Sequence, residues 1–373
     1  MLQPYNPQNK DSILSFAKKL RGKSLREVCD ESIAYHNYSG KGNFGQILEK
    51  FYFGYEPNSD AEADFSEVGV ELKSSPLKTL KNGEFRSKER LVLNIINYLE
   101  VHKENFETSS FWKKNGHLLL VFYHYEKDID ILDFIIKLVD SWQYPNEDLK
   151  IIKRDWEIIN QKIKEGKAHE LSEGDTFYLG ACTKGSSALK SYRNQPFNKK
   201  KAKQRAYSLK QGYVNHIIAN LAKEETAVYG EIIEHPEILD KVNSIEDFIL
   251  EKFKPYFGLT AEEIATKFNL QLNIKAKSYF ASITNRVLKA ILGVHQDRTI
   301  EEFEKADIEV KTIRVEQDNK IEQSVSFPAF DFEQLSRESW RESELKDLTE
   351  KKFLFLFFKN NGENYIFDKV KFW

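Results

Sequence analysis

Between positions 68 and 72 the chain alternates: Val68, Val70 and Leu72 fall on one side of an extended backbone, and Gly69, Glu71 and Lys73 on the other. The pattern predicts a strand within residues 64–73 that buries three apolar side chains and holds Glu71 and Lys73 together on the opposite face. Ser74, Ser75 and Pro76 are expected to end it, because proline cannot donate to a sheet ladder. Apolar runs at 88–98, 117–123, 176–181 and 353–358 predict further strands. Helical spacing appears at 13–20, in the stripe Phe44, Ile47, Leu48, Phe51 and Tyr52, and at 154–163 with Trp156, Ile159 and Ile163 inward. Ser24-Leu-Arg-Glu27 is a capping box, Gly40-Lys-Gly-Asn-Phe-Gly45 a flexible turn, and 55–60 a turn-rich loop. Residues 130–139 fit either period.

The order of elements returns in the second half. Thr260-Ala-Glu-Glu263 is another capping box, 283–293 another apolar helix ending in Gly, and Glu302…Glu309-Val-Lys311 another acid, spacer and Glu-x-Lys. Ser24 and Glu71 stand 47 residues apart, Thr260 and Glu309 49. This is an internal duplication rather than a solenoid repeat. It divides the chain into residues 1–225 and 226–373. Counted from Gly54 and Gly293, Leu288 occupies the place of Glu49; counted back 7 residues from Glu71 and Glu309, Glu302 occupies that of Asp64. The second copy is therefore expected to be inactive, a DNA-binding or regulatory domain. It also stops soon after its Phe353 strand, so it is expected to be incomplete at the C-terminus.

Composition changes the picture in two ways. The 373 residues, 40% hydrophobic and 13% aromatic, describe a folded globular chain. Only Cys29 and Cys182 are present, which excludes a disulfide framework or a four-cysteine zinc site and fits a cytoplasmic protein. The eight histidines show no zinc-ligand spacing, and no apolar run approaches the roughly 20 residues of a membrane span. The net charge of −2 hides a sorting of charge: Thr176 to Lys223 contains no Asp or Glu, yet holds Lys184, Lys190, Arg193, Lys199, Lys200, Lys201, Lys203, Arg205, Lys210 and Lys223. Tyr178, Tyr192, Phe197, Tyr207 and Tyr213 are interleaved with them. A solvated basic face is one reading, and a surface for nucleic-acid phosphates the other.

The candidate chemistry sits on the first alternating stretch. Asp64 and Glu71 are two carboxylates to hold Mg²⁺, and Lys73 is an ammonium to position or activate an attacking water, which is what a phosphodiester nuclease needs. Two other stretches share the bare pattern, Asp155 with Glu165 and Lys167, and Asp331 with Glu344 and Lys346, but in polar, helix-like surroundings. Glu49, at the edge of its helical stripe, either aims a carboxylate into the neighbouring sheet or is an ordinary surface residue.

The chain resembles the MutH-like endonucleases, and most of all the Sau-type GATC-cutting type II restriction enzymes. The resemblance runs through Gly40-Lys-Gly-Asn-Phe-Gly45, Asp64-Phe…Gly-Val-Glu-Leu-Lys73, Lys88-Glu-Arg-Leu-Val-Leu, Glu104-Asn-Phe-Glu-Thr-Ser-Ser110, Asp155-Trp-Glu-Ile-Ile-Asn160, Lys167-Ala-His-Glu-Leu-Ser-Glu-Gly174, Cys182-Thr-Lys-Gly185 and Arg193-Asn-Gln-Pro196. It implies an α/β, restriction-endonuclease-like core: a mixed sheet flanked by helices, present as two MutH-like domains. It implies metal ligation by Asp64 and Glu71, catalysis with Lys73 and Glu49, and Lys114 near the scissile phosphate. It also implies that Thr183, Lys184, Gly185 and Ser186, with Lys210 and Tyr213, read the site and clamp the duplex. Arg193, Lys199, Lys200, Lys201, Lys203 and Arg205 are the expected backbone contacts. The implied partners are duplex DNA at GATC and, on a palindrome, a second chain. The alternatives are a mismatch-repair nickase and a non-cleaving DNA-binding regulator.

Overall fold

Asn9 accepts the Ser12 amide hydrogen and starts α1 (Lys10–Lys18), while in the capping box at Ser24 the Ser24 amide donates to Glu27 at 2.6 Å and opens α2 (Leu25–Val28). The computed structural model describes residues 4–29, 43–57, 62–80, 83–184, 191–223, 228–233, 235–242, 244–271, 279, 283–321, 324, 332–337, 345, 349 and 351–373. They divide into two units, Met1–Thr226 and Ala227–Trp373. Among them no helix is long and apolar enough to cross a membrane.

The stripe at Phe44 forms α3 (Asn43–Ile47), which runs directly into a π-helical turn, Leu48–Phe53, and stops at Gly54 with a left-handed φ of 77°. Asn43, Phe44 and Gly45 are thus helical rather than part of a turn; residues 40–42 lie outside the described residues. The wider turn keeps Phe44, Ile47, Leu48 and Phe53 buried on one face. They pack with Ile13, Ala17 and Leu20 against Val70 and against Leu72, Leu119 and Val121 of the sheet, which forms the first unit's core.

That sheet has the order β2-β1-β4-β5, with β1 Glu71–Thr79, β2 Phe85–Ser87, β4 His117–His124 and β5 Ile136–Gln143. β1 and β4 are parallel, in register from Glu71↔Leu118 to Leu77↔His124, and the other pairs are antiparallel. The mixed sheet is as expected, but β1 begins where the alternating stretch was to end. It runs through Pro76, because β2 joins only from Leu77 onwards and the missing N–H interrupts no β1–β2 pair. The run at 88–98 is likewise divided into β3 (Leu91–Ile95) and α4 (Tyr98–Val101), since Asn97 caps the helix. The ambiguous 130–139 contains a 3₁₀ turn, Ile131–Asp133, and then the start of β5.

α5 (Ser110–Asn115) leads into β4. The long α6 (Asn146–Lys164) buries Trp156, Ile159 and Ile163 as the spacing predicts. It also buries Asp155, whose carboxylate accepts the amides of Phe177, Tyr178 and Leu179 at 2.6–2.9 Å. Those amides are therefore not in a ladder, and β6 begins only at Leu179 (Leu179–Thr183). Asp155 is thus structural, and its supposed partners Glu165 and Lys167 form an exposed ion pair at 2.8 Å. The other pattern match, Asp331 with Glu344 and Lys346, lies outside the described residues.

β6 pairs with β9 (Arg205–Leu209), which also pairs with β3. Between them β7 (Tyr192–Gln195) and β8 (Asn198–Lys203) form a two-stranded ribbon. Its tip is seated on the end of α6: Asn198 donates to the Gly166 carbonyl at 2.8 Å, and a Cβ on Gly166 would stand 3.2 Å from the Phe197 carbonyl oxygen. Gly166 also has a φ of +70°, so glycine meets both demands. Buried Gln195, beside the same turn, adds to this by accepting the Ala168 amide at 2.8 Å. α7 (Gln211–Ala222) closes the unit.

The second unit has a three-stranded sheet, β12-β13-β14, of Ile308–Val315, Lys352–Asn360 and Tyr365–Phe372, with the first pair parallel and the second antiparallel. A separate short parallel pair, β10 (Tyr229–Gly230) and β11 (Thr299–Ile300), precedes it in the chain. Thr260 caps the helix Ala261–Lys267 through the expected box. A π-helical turn, Ile283–Val287, continues as the helix Leu288–Leu292 and ends at Gly293 with φ of 83°.

Candidate active site and nucleic-acid interface

Asp64 and Glu71 are seven residues apart, which in an extended strand would separate them by roughly 23 Å. A tight loop removes that distance. Phe65 and Val70 form an isolated bridge, exchanging hydrogen bonds at 2.9 and 3.3 Å around the 3₁₀ turn Ser66–Val68 and Gly69, whose φ is +63°. Val68 consequently sits in a turn and is only half-buried. The loop returns Asp64 to the start of β1. Its amide donates to Glu71 Oε2 at 3.1 Å, and its Oδ2 accepts the Leu72 amide at 2.9 Å.

Glu71 is 1% exposed, so the face opposite Leu72 is buried and not solvated. Lys73 Nζ lies 2.5 Å from Glu71 Oε1, and Lys114 Nζ 3.7 Å from the same oxygen. Lys114 comes from α5 and is oriented by the Glu62 carbonyl at 3.0 Å. Burial pushes the Glu71 carboxyl up, opposed by Lys73 and reinforced by Asp64.

Glu49, on the π turn, belongs to the same group. Burial first, then the charge of Asp64, pushes its carboxyl up to about 7, with Lys73 and Lys114 pulling the other way. Gly45, one helical turn before it, leaves the room: a Cβ there would come 3.3 Å from Ser74 Oγ and 3.8 Å from Glu49 Oε1. Glu49, Asp64, Glu71, Lys73 and Lys114 are therefore brought together. Tyr55 joins them unanticipated, since the sequence marks it only as a turn residue. Among the described residues no three His, Cys, Asp or Glu side chains are assembled as a ready ligand cluster.

The basic residues are sorted differently. Arg193, Lys199, Lys200, Lys201 and Lys203 are exposed on the ribbon, together with Tyr192 and, at its tip, Phe197 at 76% exposure. Thr183 is exposed at the end of β6, and the Lys184 amide donates to the Gln204 carbonyl at 2.8 Å. Gly185 and Ser186 lie outside the described residues. Arg205 is half-buried and bonds the Ala181 carbonyl. Lys210 is buried on the Thr176 carbonyl, and Tyr213 is wholly buried with its hydroxyl on Asp148 at 2.9 Å. Tyr178 and Tyr207 are buried as well, so of the five interleaved aromatics only Tyr192 and Phe197 face solvent. Burial was not legible because a basic stretch that forms both a ribbon and an interior strand has one composition throughout.

In the second unit Glu309 and Lys311 form an ion pair at 2.6 Å. Glu302 is buried, and its carboxylate accepts the amides of Ile232 at 2.8 and 3.0 Å and Ile233 at 2.8 Å. Leu288 is buried.

Carboxylates and ammonium groups clustered at the head of a central strand suit hydrolysis by activated water, and an exposed cationic ribbon in the same unit suits a polyanion. The class these define is a nuclease. A family model described as DNA mismatch repair enzyme MutH matches residues 53–155. The chain is 42% identical to the type II restriction enzyme Sau3AI of Staphylococcus aureus, over 97% of this chain and 75% of that protein. It is also similar to DNA mismatch repair protein MutH of Vibrio parahaemolyticus (28% identical, covering 49% of this chain and 81% of that one) and of Shewanella amazonensis (30%, covering 46% and 76%). The chain belongs to the MutH-like endonuclease family and is a type II restriction endonuclease, a site-specific deoxyribonuclease of a family that works with a divalent metal.

Proposed function

We propose that this endonuclease hydrolyses both strands of duplex DNA at GATC with Mg²⁺, through a site made of Glu49, Asp64, Glu71 and Lys73. The observation that carries this is the return of Asp64 onto Glu71 and Leu72, which sets two carboxylates beside the Lys73 ammonium. The donor set fits the ion. Mg²⁺ takes one or two protein carboxylates and fills its octahedron with water and phosphate oxygens. Three carboxylates against two ammonium groups leave negative charge for a cation to offset, and Asp64 adds to burial in raising the Glu49 carboxyl.

Asp64 and Glu71 hold the ion, and Glu49 completes the site from the π turn. When bound, Mg²⁺ supplies polarisation of the scissile phosphate and acidification of a water. Lys73, fixed on Glu71 as an ammonium, orients that water and offsets the negative charge that develops on it as its proton passes to solvent. Lys114 lies close enough to bear on the phosphate charge. In-line attack on phosphorus expels the 3′ oxygen and leaves phosphate on the 5′ end. The ribbon cations hold the duplex backbone. A double-strand break on a palindrome needs two such sites, so two chains meet on DNA.

The second unit is read as a decayed copy that binds DNA or regulates. Its support is a parallel pair of strands followed by an antiparallel one, a helix that includes a π turn and stops at a left-handed glycine, and the retained Glu309–Lys311 pair. What it lacks is a carboxylate at Leu288, and its Glu302 is occupied by backbone amides.

Digestion of adenine-methylated and unmethylated plasmid with Mg²⁺, with the ends mapped, tests the reading. Double-strand cuts at GATC bearing 5′-phosphates are expected; nicks in one strand would favour the repair-type alternative. Glu71→Ala and Lys73→Ala should each abolish cleavage while largely sparing DNA binding, and equal loss of both would make these residues structural.

A further inference from the structure

Tyr55 follows Gly54, the glycine that ends the π turn carrying Glu49. Its amide donates to the Glu49 carbonyl at 3.0 Å. Its ring packs edge-on against Phe65, with 5.6 Å between centroids, and Phe65 is the residue after Asp64. One residue is thus braced on both segments that deliver acids to the site, by its backbone on one and its ring on the other. The Tyr55 hydroxyl is buried, yet it finds no hydrogen-bond partner among the described residues. Such a group costs about 1–3 kcal/mol when it stays unpaired.

Tyr144 and Tyr207 carry hydroxyls in the same condition, but their surroundings differ. Burial acts on Tyr144 by itself, and burial with Glu104 and Tyr98 on Tyr207. After burial, the groups acting on Tyr55 are Asp64, Glu49 and Glu71 in that order, which keep its phenol protonated and so a donor. The second unit offers a comparison. Buried Val294 follows Gly293 where Tyr55 follows Gly54, just as Leu288 stands where Glu49 does. The hydroxyl and the helix carboxylate are absent together.

We propose that Tyr55 is a positioning residue of the cleavage site, its hydroxyl donating a hydrogen bond to an oxygen ligand of the bound divalent ion. This rests on Asp64 and Glu71 as the ion's ligands. The oxygen belongs either to water or to a DNA phosphate, and both sources are resolved by experiment.

The full chain carrying Tyr55→Phe, which keeps the ring and removes the hydroxyl, is compared with the parent in two Mg²⁺ titrations. One follows the thermal midpoint without DNA, and the other single-turnover cleavage of a GATC duplex. The variant is expected to be at least as stable without the ion, to need about 10-fold more Mg²⁺ for half-maximal cleavage, and to keep its KM for DNA. If the thermal titration shifts too, the partner is water. A shift in the cleavage titration alone assigns a phosphate oxygen. Unchanged Mg²⁺ dependence in both titrations overturns the inference. So does a loss of ion-free stability or failure to fold, because the hydroxyl then has its partner within the chain. Glu71→Gln is run alongside. If it too keeps the parent's Mg²⁺ dependence, the assignment of the ion ligands fails; if it alone loses that dependence, only the role of Tyr55 fails.

Discussion

Glu71 and Lys73 were legible as a pair because side chains two apart on a strand share a face, whatever the rest of the fold does. Asp64 was legible as a residue type and not as a neighbour. Its approach depends on Gly69 holding a φ of +63°, where a residue with Cβ is strained although the surrounding space is open. Gly69→Val should therefore cost about 1 kcal/mol of stability, read from the thermal midpoint, but reduce cleavage much more than that, because Asp64 loses its place beside Glu71. Glu49 gives a pH-dependent expectation. Its carboxyl is raised in the folded protein from 4.5 to about 7, so the folded state holds the extra proton between those values and stability falls as pH rises through them. Without divalent ion, Glu49→Gln should be more stable than the parent above that window, on the order of 1 kcal/mol after solvent screening, and equal to it below. Thermal midpoints across pH measure this; a gain of equal size at all pH values would assign it to packing instead.

Elements were recovered where local patterning decides them. The apolar spacing of α6, both capping boxes and the run that became β4 needed no tertiary information. Boundaries moved where a distant group claimed the backbone: Asp155 takes three amides and delays β6, and β2 pairs with β1 only past Pro76. The ribbon is an element that no periodicity announces, since four exposed positions in a row on β8 carry no alternation. Its cations predict a change in salt dependence. Replacing Lys199, Lys200 and Lys201 with Gln should weaken binding to duplexes of any sequence. It should also lower the magnitude of the slope of log affinity against log salt by about 2 to 3, if each lysine meets a phosphate. Fluorescence anisotropy at several salt concentrations checks it, and an unchanged slope would remove the ribbon from the interface. Lys210→Gln, buried on the Thr176 carbonyl, should act on stability instead.

At the scale of the whole chain, the second unit, proposed to be a decayed copy of the first, differs from it in which polar groups remain available. A decayed second copy should tolerate loss of its Glu-x-Lys: Glu309→Ala should leave the rate of cleavage unchanged in a plasmid assay, and a fall comparable to that of Glu71→Ala would give the second unit a share in the chemistry. Glu302→Ala should behave differently, lowering the thermal midpoint of the full chain. It strands the buried amides of Ile232 and Ile233, at roughly 1–3 kcal/mol for each.

The sequence by itself determined the periodic and the additive properties: the strand and helix faces, the sorting of charge between Thr176 and Lys223, and the Glu-x-Lys pair. These follow from bond geometry and from which residues stand next to one another. Only the tertiary structure decided the return of Asp64, the convergence of Glu49, Lys114 and Tyr55 on it, and the division of basic residues between an exposed ribbon and a buried strand. Those depend on loop conformation and on burial. Both are set by contacts between residues far apart in the chain, so no local pattern encodes them.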